Sequence, residues 1–282
     1  MRRILPTVML ACGLVVFGAL ASRVGGWDWK PVALWTQLAE NPASLGWSAT
    51  LRLLPPASWR DALGWRTVAE TSAPQGSPCA ASYDTPIGPL GGESGQVKIL
   101  ERRIRNVWLR GAMEAPGASV EPGDFVVRVG SDDGVFLRYA LAKGAGKAIL
   151  IDEDPGRTAC LAWRFRDAIE AGRLEVVRPS DLDSPEALGV FAARLEARER
   201  SAAPTLDEML PLLGLRRVDF LAIDAPGRTL AVLEGAKGTI EHFAPRLAIR
   251  TNSAEADGVE RAVRRLGRPY EAVRRGDMLF FR

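Results

Sequence analysis

The chain has 282 residues, 47% of them hydrophobic and 25% charged, with a formal net charge of +3. That length holds one large domain, or one domain with appendages, and the composition is that of a globular protein. Arginine is interleaved with acids and no basic tract carries stacking aromatics, so no nucleic-acid partner is expected. The cysteines are Cys12, Cys79 and Cys160 and the single histidine is His242. Cys12 lies in an apolar segment, so at most one disulfide can form in the rest. A zinc site or a Ser-His-Asp site would rest on one imidazole near the end of a predicted helix. His242 is therefore read as a surface residue, and no metal is expected.

Arg2 and Arg3 precede Ile4–Ala21, a stretch without a charged residue. It is about long enough to span a bilayer, at roughly 18 residues. It also has the parts of a signal peptide, with Ala19-Leu20-Ala21 as a small-x-small cleavage site. Both readings stand for an N-terminal apolar helix over residues 1–23; a lipoprotein site at Cys12 fits less well, because the run before it is short. Positive charge at the start favours an exported body, although Arg23 and Lys30 blur that orientation. The localisation expected is the inner membrane or export, with the cytoplasmic side required if the body is active.

Residues 24–95 read as a Trp-rich helical region and linker. Six of the eight tryptophans fall between Trp27 and Trp65. They suit either the headgroup layer of a membrane or a helical subdomain packed on the main fold. Thr71–Gly95, rich in Gly, Pro and Ser, reads as a loop or linker. Val97–Arg110 alternates in part and predicts a short strand pair leading into the main domain, 96–282.

From Asp124 onward strand-like and helix-like segments alternate. Strands are predicted at Phe125–Val129, Lys147–Asp152, Leu174–Arg178, Val218–Asp224 and Arg246–Arg250. Helices are predicted at Gly134–Gly144, Pro155–Ala171, Thr205–Leu213, Thr229–Phe243 and Ala254–Leu266. Such alternation implies an α/β fold whose mainly parallel sheet is covered on both faces. Two last strands, Tyr270–Arg274 and Met278–Phe281, flank a tight turn and predict an antiparallel C-terminal hairpin. A parallel sheet closed by such a hairpin is the plan of the Rossmann-like methyltransferases.

The first strand ends in Gly130-Ser131-Asp132-Asp133-Gly134. A glycine turn there brings free backbone N–H groups and a helix N-terminus to the strand's carboxyl end, where open α/β sheets bind nucleotides. Asp152 and Glu153 end the second strand, about 20 residues on, the usual place for a ribose-binding carboxylate. Gly-x-Gly-x-x-Gly is incomplete, and Asp132 and Asp133 would repel a pyrophosphate, which disfavours a nicotinamide oxidoreductase. A sulfonium cofactor tolerates those acids better. Candidate cofactor-binding residues are thus Gly130, Ser131, Asp132, Gly134, Asp152 and Glu153.

Val218-Asp219-Phe220-Leu221-Ala222-Ile223-Asp224, the helix Leu230-Ala231-Val232-Leu233-Glu234-Gly235-Ala236 and the upstream Thr205-Leu206-Asp207 together resemble the FkbM-type methyltransferases. The resemblance runs from about Val120 to the C-terminus. It implies S-adenosylmethionine as donor, O-methylation of a sugar or small-molecule hydroxyl, a small-molecule or glycan acceptor, and Asp224 as the candidate catalytic residue. A general base is one role open to Asp224; a helix N-cap is the other.

Four positions depart from the family pattern. Its acid two residues before the first glycine, which holds the donor's amino-acid end, is Arg128, which cannot accept those bonds. Its turn asparagine falls near Asp132. The lysine and glutamate around the fourth-strand aspartate are Ala222 and Pro226. The acid that ends the fifth strand is Arg250. Two inward arginines would make the pocket more cationic and weaken or abolish donor binding. A non-catalytic, membrane-anchored or exported binding protein on the same fold is the alternative function, and membrane contact through the N-terminal segment is expected in either case.

Overall fold

The computed structural model describes residues 67–130, 132–183 and 204–282. The apolar stretch Ile4–Ala21, the tryptophans up to Trp65 and Ser131 lie outside them. Among the described residues no helix is long and apolar enough to cross a membrane.

The main sheet is built from β4 (Phe125–Gly130), β5 (Lys147–Ile151), β6 (Leu174–Val177), β7 (Phe220–Asp224), β8 (Arg246–Arg250), β9 (Ala272–Arg275) and β10 (Met278–Phe281), in the order β6-β5-β4-β7-β8-β10-β9. The pairs β4–β5, β5–β6, β4–β7 and β7–β8 are parallel, while β10 runs antiparallel to both β8 and β9. β7 is buried along its whole length, as a central parallel strand must be when helices cover both faces. The order turns back on itself at β4, between β5 on one side and β7 on the other. Crevices of open α/β sheets form at such a switch point. The Rossmann-like methyltransferase plan and the antiparallel hairpin expected from the sequence are both present.

The helices are α1 (Val97–Ile104), α2 (Val135–Ala142), α3 (Pro155–Arg164), α4 (Arg166–Glu170), α5 (Leu206–Leu212), α6 (Thr229–Glu234), α7 (Lys237–Phe243) and α8 (Ala256–Arg264). Two expected long helices are broken. Pro155–Ala171 is split at Phe165, whose ring is buried, and Thr229–Phe243 is split at Gly235-Ala236. Val97–Arg110, expected as a strand pair, is α1 followed by a π-helical turn over Arg105–Leu109. Leu100, Ile104 and Val107 recur at helical spacing and are buried, as is Leu109; Val97 and Ile99, which contributed to the apparent alternation, are not. Thr71–Gly95, expected as loop or linker, carries β2 (Ala81–Asp84) and β3 (Leu90–Gly92), which with β1 (Ala69–Thr71) form an antiparallel ribbon.

Two of the motif acids hold the fold. Asp219 Oδ2 accepts the Phe125 backbone N–H at 2.7 Å, tying the loop before β7 to the start of β4. Asp207 accepts the N–H groups of Gly238 and Thr239, both at 2.7 Å, and so caps the first turn of α7 from α5. Thr205 and Glu208 form a capping box on α5. Gly235 packs so closely on Thr205 that an added Cβ would lie 3.0 Å from its side chain.

Candidate functional site

The carboxyl ends of β4, β5 and β7 open into a cavity of about 320 Å³. Gly130, Asp152, Glu153 and Asp224 all line it, so the chain's folding gathers four of the predicted site residues. Val129, Ile151, Met209 and Val232 supply apolar wall. Gly130 pairs in register with Asp224, and its φ is +96°. A Cβ there would lie 2.0 Å from the Asp224 carbonyl oxygen, so only glycine lets the two strand ends lie this close.

Asp132 and Gly134 are placed differently. The Asp132 carboxylate turns away from the cleft and accepts the N–H groups of Gly134, Phe136 and Leu137, capping α2. It borders a second cavity of about 290 Å³ between the ribbon, α1 and α3. Burial pushes the Asp132 carboxyl up to about 6; Arg128 and the capping N–H groups oppose that rise and Asp133 adds to it. Gly134, at φ +89°, starts α2 against the Phe165 ring and Leu90. Ser131 lies outside the described residues.

Two of the three acids that line the cleft, Asp152 and Asp224, are already paired. Arg128 is 5% exposed, and its Nη2 donates to Asp224 Oδ2 at 2.8 Å. Its guanidinium lies 5.2 Å from the centre of the Phe136 ring. Arg250 Nε approaches the same Asp224 oxygen at 3.5 Å and Asp277 at 3.8 Å. A line of alternating charge, Arg128–Asp224–Arg250–Asp277, therefore crosses the ends of β4, β7 and β8 and reaches the hairpin turn. Asp224 is thus an ion-pair partner; its side chain makes no capping bond of α6, whose start has none.

Asp152 is held by a residue that the sequence reading did not single out. Arg157, in the first turn of α3, donates from Nε to Asp152 Oδ2 at 2.5 Å and from Nη2 to Oδ1 at 3.3 Å. The fork engages both carboxylate oxygens, the geometry that makes arginine–carboxylate pairs strong. The Asp152 hydrogen bond, the largest cause, pushes the Arg157 guanidinium pKa up. The only sequence signal was an arginine five residues after a strand-end acid. Asp154 N-caps α3 by accepting the Arg157 N–H at 2.8 Å. His242 is exposed in the last turn of α7, edge-on to Phe243.

Residues 175–268 match the family model described as the methyltransferase FkbM domain. The match begins at the start of β6, so it contains the Asp224 strand but neither Gly130 nor Asp152. No curated protein matches in sequence. Among solved structures the chain is similar to a fibrillarin from Aeropyrum pernix in complex with S-adenosyl-L-methionine, at 14% identity over 61% of this chain and 70% of that one, TM-score 0.39. It is also similar to a methyltransferase FkbM from Methylobacillus flagellatus, at 15% identity over 68% of this chain and 56% of that one, TM-score 0.38. A third is a SAM-dependent methyltransferase from Aquifex aeolicus, at 17% identity over 59% and 84%, TM-score 0.34. The sheet order is that of a Rossmann-like methyltransferase, and the residues around Asp224 carry the family's strand motif. Residues 175–268 are thus similar to the methyltransferase FkbM domain, within a sheet of Rossmann-like methyltransferase order.

Proposed function

We propose that this FkbM-type domain has given up methyl transfer and uses its cleft to bind a polar small molecule or glycan, in a chain that is membrane-anchored or exported. One observation carries the reading: the buried Arg128–Asp224 contact at the ends of the two central strands. S-adenosylmethionine calls for a carboxylate at its ribose hydroxyls and a neutral or acidic surface for its sulfonium. The cavity has the volume and the apolar wall for an adenosine. The charges do not match: both Asp152 oxygens are engaged by Arg157, Asp224 is engaged by Arg128, and Arg128 itself is a cation where the family has an acid. A like charge close by in a water-poor site is costly. The residues therefore do not fit the intact donor, and no transfer step is assigned to Asp224.

The competing reading is an active O-methyltransferase acting on a sugar or small-molecule hydroxyl. The glycine-lined cavity with Asp152 at its edge favours it. Isothermal titration of the purified chain separates the two. No heat with S-adenosylmethionine at millimolar ligand is the expected result; micromolar binding overturns the proposal. Transfer of a labelled methyl group to a glycan acceptor would overturn it independently.

A further inference from the structure

Cys79 and Cys160 stand 81 residues apart in sequence, yet they form a disulfide with their Cα atoms 4.7 Å apart. Cys79 leads into β2 of the ribbon; Cys160 sits in the middle of α3, on its buried face. The bond therefore fastens the N-terminal ribbon to the helix that carries Arg157 and Asp154. Both cysteines are nearly buried, 5% and 4% exposed. A third residue is shaped to the pair. A Cβ at Gly91, on β3, would lie 2.5 Å from each of the two sulfurs. The backbone of Gly91 is not in the left-handed region, so its conformation would accept any side chain; the two sulfurs exclude one, and Arg164 Nε lies 3.2 Å from the same point.

Other uses of the two thiols find no support. Among the described residues no group of three or more His, Cys, Asp or Glu side chains could hold a metal. The single histidine, His242, is exposed on α7 and edge-on to Phe243, not against either sulfur. Among the described residues no side chain is hydrogen-bonded to a sulfur; Cys79 Sγ contacts the Cys160 carbonyl oxygen at 3.6 Å. Buried, bonded to each other and without a base, the pair is structural rather than catalytic.

Structural disulfides persist in oxidising compartments and are rare where a thiol pool keeps cysteines reduced. We infer that the body of this protein matures on the exported side of the membrane, and that the Cys79–Cys160 bond is the staple that fixes its ribbon there. The uncharged stretch Ile4–Ala21 supplies a means of export. The bond forms by exchange with the disulfide of a thiol oxidase of that compartment. One cysteine thiolate attacks the carrier's disulfide and gives a mixed disulfide. The second thiolate displaces the carrier, which leaves as a dithiol holding the two electrons and the two protons that the cysteines gave up. The inference stands on the cysteine geometry and does not require the cleft to be inactive, although a methyl donor made in the cytoplasm would not reach an exported body.

The test uses the full chain carrying Cys12→Ser, so that the pair holds the only thiols, expressed in a bacterial host with its own membrane. Cells are quenched in acid and alkylated with a maleimide–polyethylene glycol before and after reduction. Neither cysteine is expected to react until reductant is added; reaction of both beforehand overturns the inference. A C-terminal alkaline phosphatase fusion is expected to be active and a matching green fluorescent protein fusion dark; the reverse overturns it. In Gly91→Ala the thiols are expected to react without reductant. If that variant does not fold, Cys79→Ser/Cys160→Ser decides. Reductant should lower the melting temperature of the Cys12→Ser chain and leave that of the triple variant unchanged. An equal response of both overturns the staple.

Discussion

Arg128 and Asp224 leave neighbouring parallel strands two residues out of register with each other, Arg128 opposite Ala222 and Asp224 opposite Gly130, and meet at 2.8 Å beneath the glycine turn. Each is less than a tenth exposed. A buried ion pair is costly to break because the partner left behind is an uncompensated charge. Arg128→Met should therefore lower stability by about 3 kcal/mol, the low end of the range because Arg250 still faces Asp224. Arg128→Met/Asp224→Leu should recover most of that loss. Urea unfolding of the two single variants and the double variant measures the coupling; strictly additive losses would mean that the pair is not the unit of stability.

The ribose and sulfonium obstacles are separable. Arg157→Gln removes the fork from Asp152 at a cost of about 1–3 kcal/mol, since the carboxylate left behind is only 7% exposed. In that variant S-adenosylhomocysteine, which lacks the sulfonium charge, should bind at least about tenfold more tightly than to the parent chain, a gain of roughly 1.4 kcal/mol. S-adenosylmethionine should still bind more weakly than S-adenosylhomocysteine to either chain, because Arg128 remains in both. Equal affinities of the two ligands in calorimetry would show that Arg128 does not oppose the cation.

Asp132 gives the fold a pH dependence with a defined sign. Its folded pKa, about 6, lies above the ordinary aspartate value. The folded state thus holds the proton more tightly than the unfolded chain. The contribution of this group is greatest below about pH 4 and is lost as pH rises through about 6. Asp132→Asn keeps one acceptor for the Gly134 and Phe136 N–H groups and removes the titration. The stability of the variant relative to the parent should rise between about pH 4 and 6 and be flat above about 7, apart from a constant offset for the lost Leu137 contact. A difference independent of pH over that window would refute the shift.

Asp207 belongs to the motif that signalled the family, yet its bonds are to Gly238, Thr239 and the Thr239 hydroxyl. Asp207→Ala should cost about 1–2 kcal/mol, as loss of a helix cap does, and leave any ligand binding unchanged. Denaturant unfolding beside a binding titration checks both halves.

Closing a loop of 81 residues removes entropy from the unfolded chain. Reduction of the Cys79–Cys160 bond should lower stability by about 2–4 kcal/mol, read as a drop in the urea midpoint.

Much of this protein was determined by local pattern alone. Five apolar strand runs, the helices between them and the turn at Arg275-Gly276-Asp277 report on covered parallel strands and a closing hairpin, because side-chain periodicity and turn chemistry depend on near neighbours in sequence. Gly130, Asp152 and Asp224 could be picked out for the same reason: strand ends are local features. What their side chains do was decided only by tertiary structure. An arginine five residues beyond Asp152 does not by itself announce that it will fork back onto that carboxylate, and residue types alone do not say whether Arg128 points at a ligand or at Asp224. The ribbon over Ala69–Gly92 was hidden by its Gly, Pro and Ser content and is held by a bond to a helix 81 residues away. Pairings of charge and of sulfur are long-range, and their partners become neighbours only when the sheet assembles.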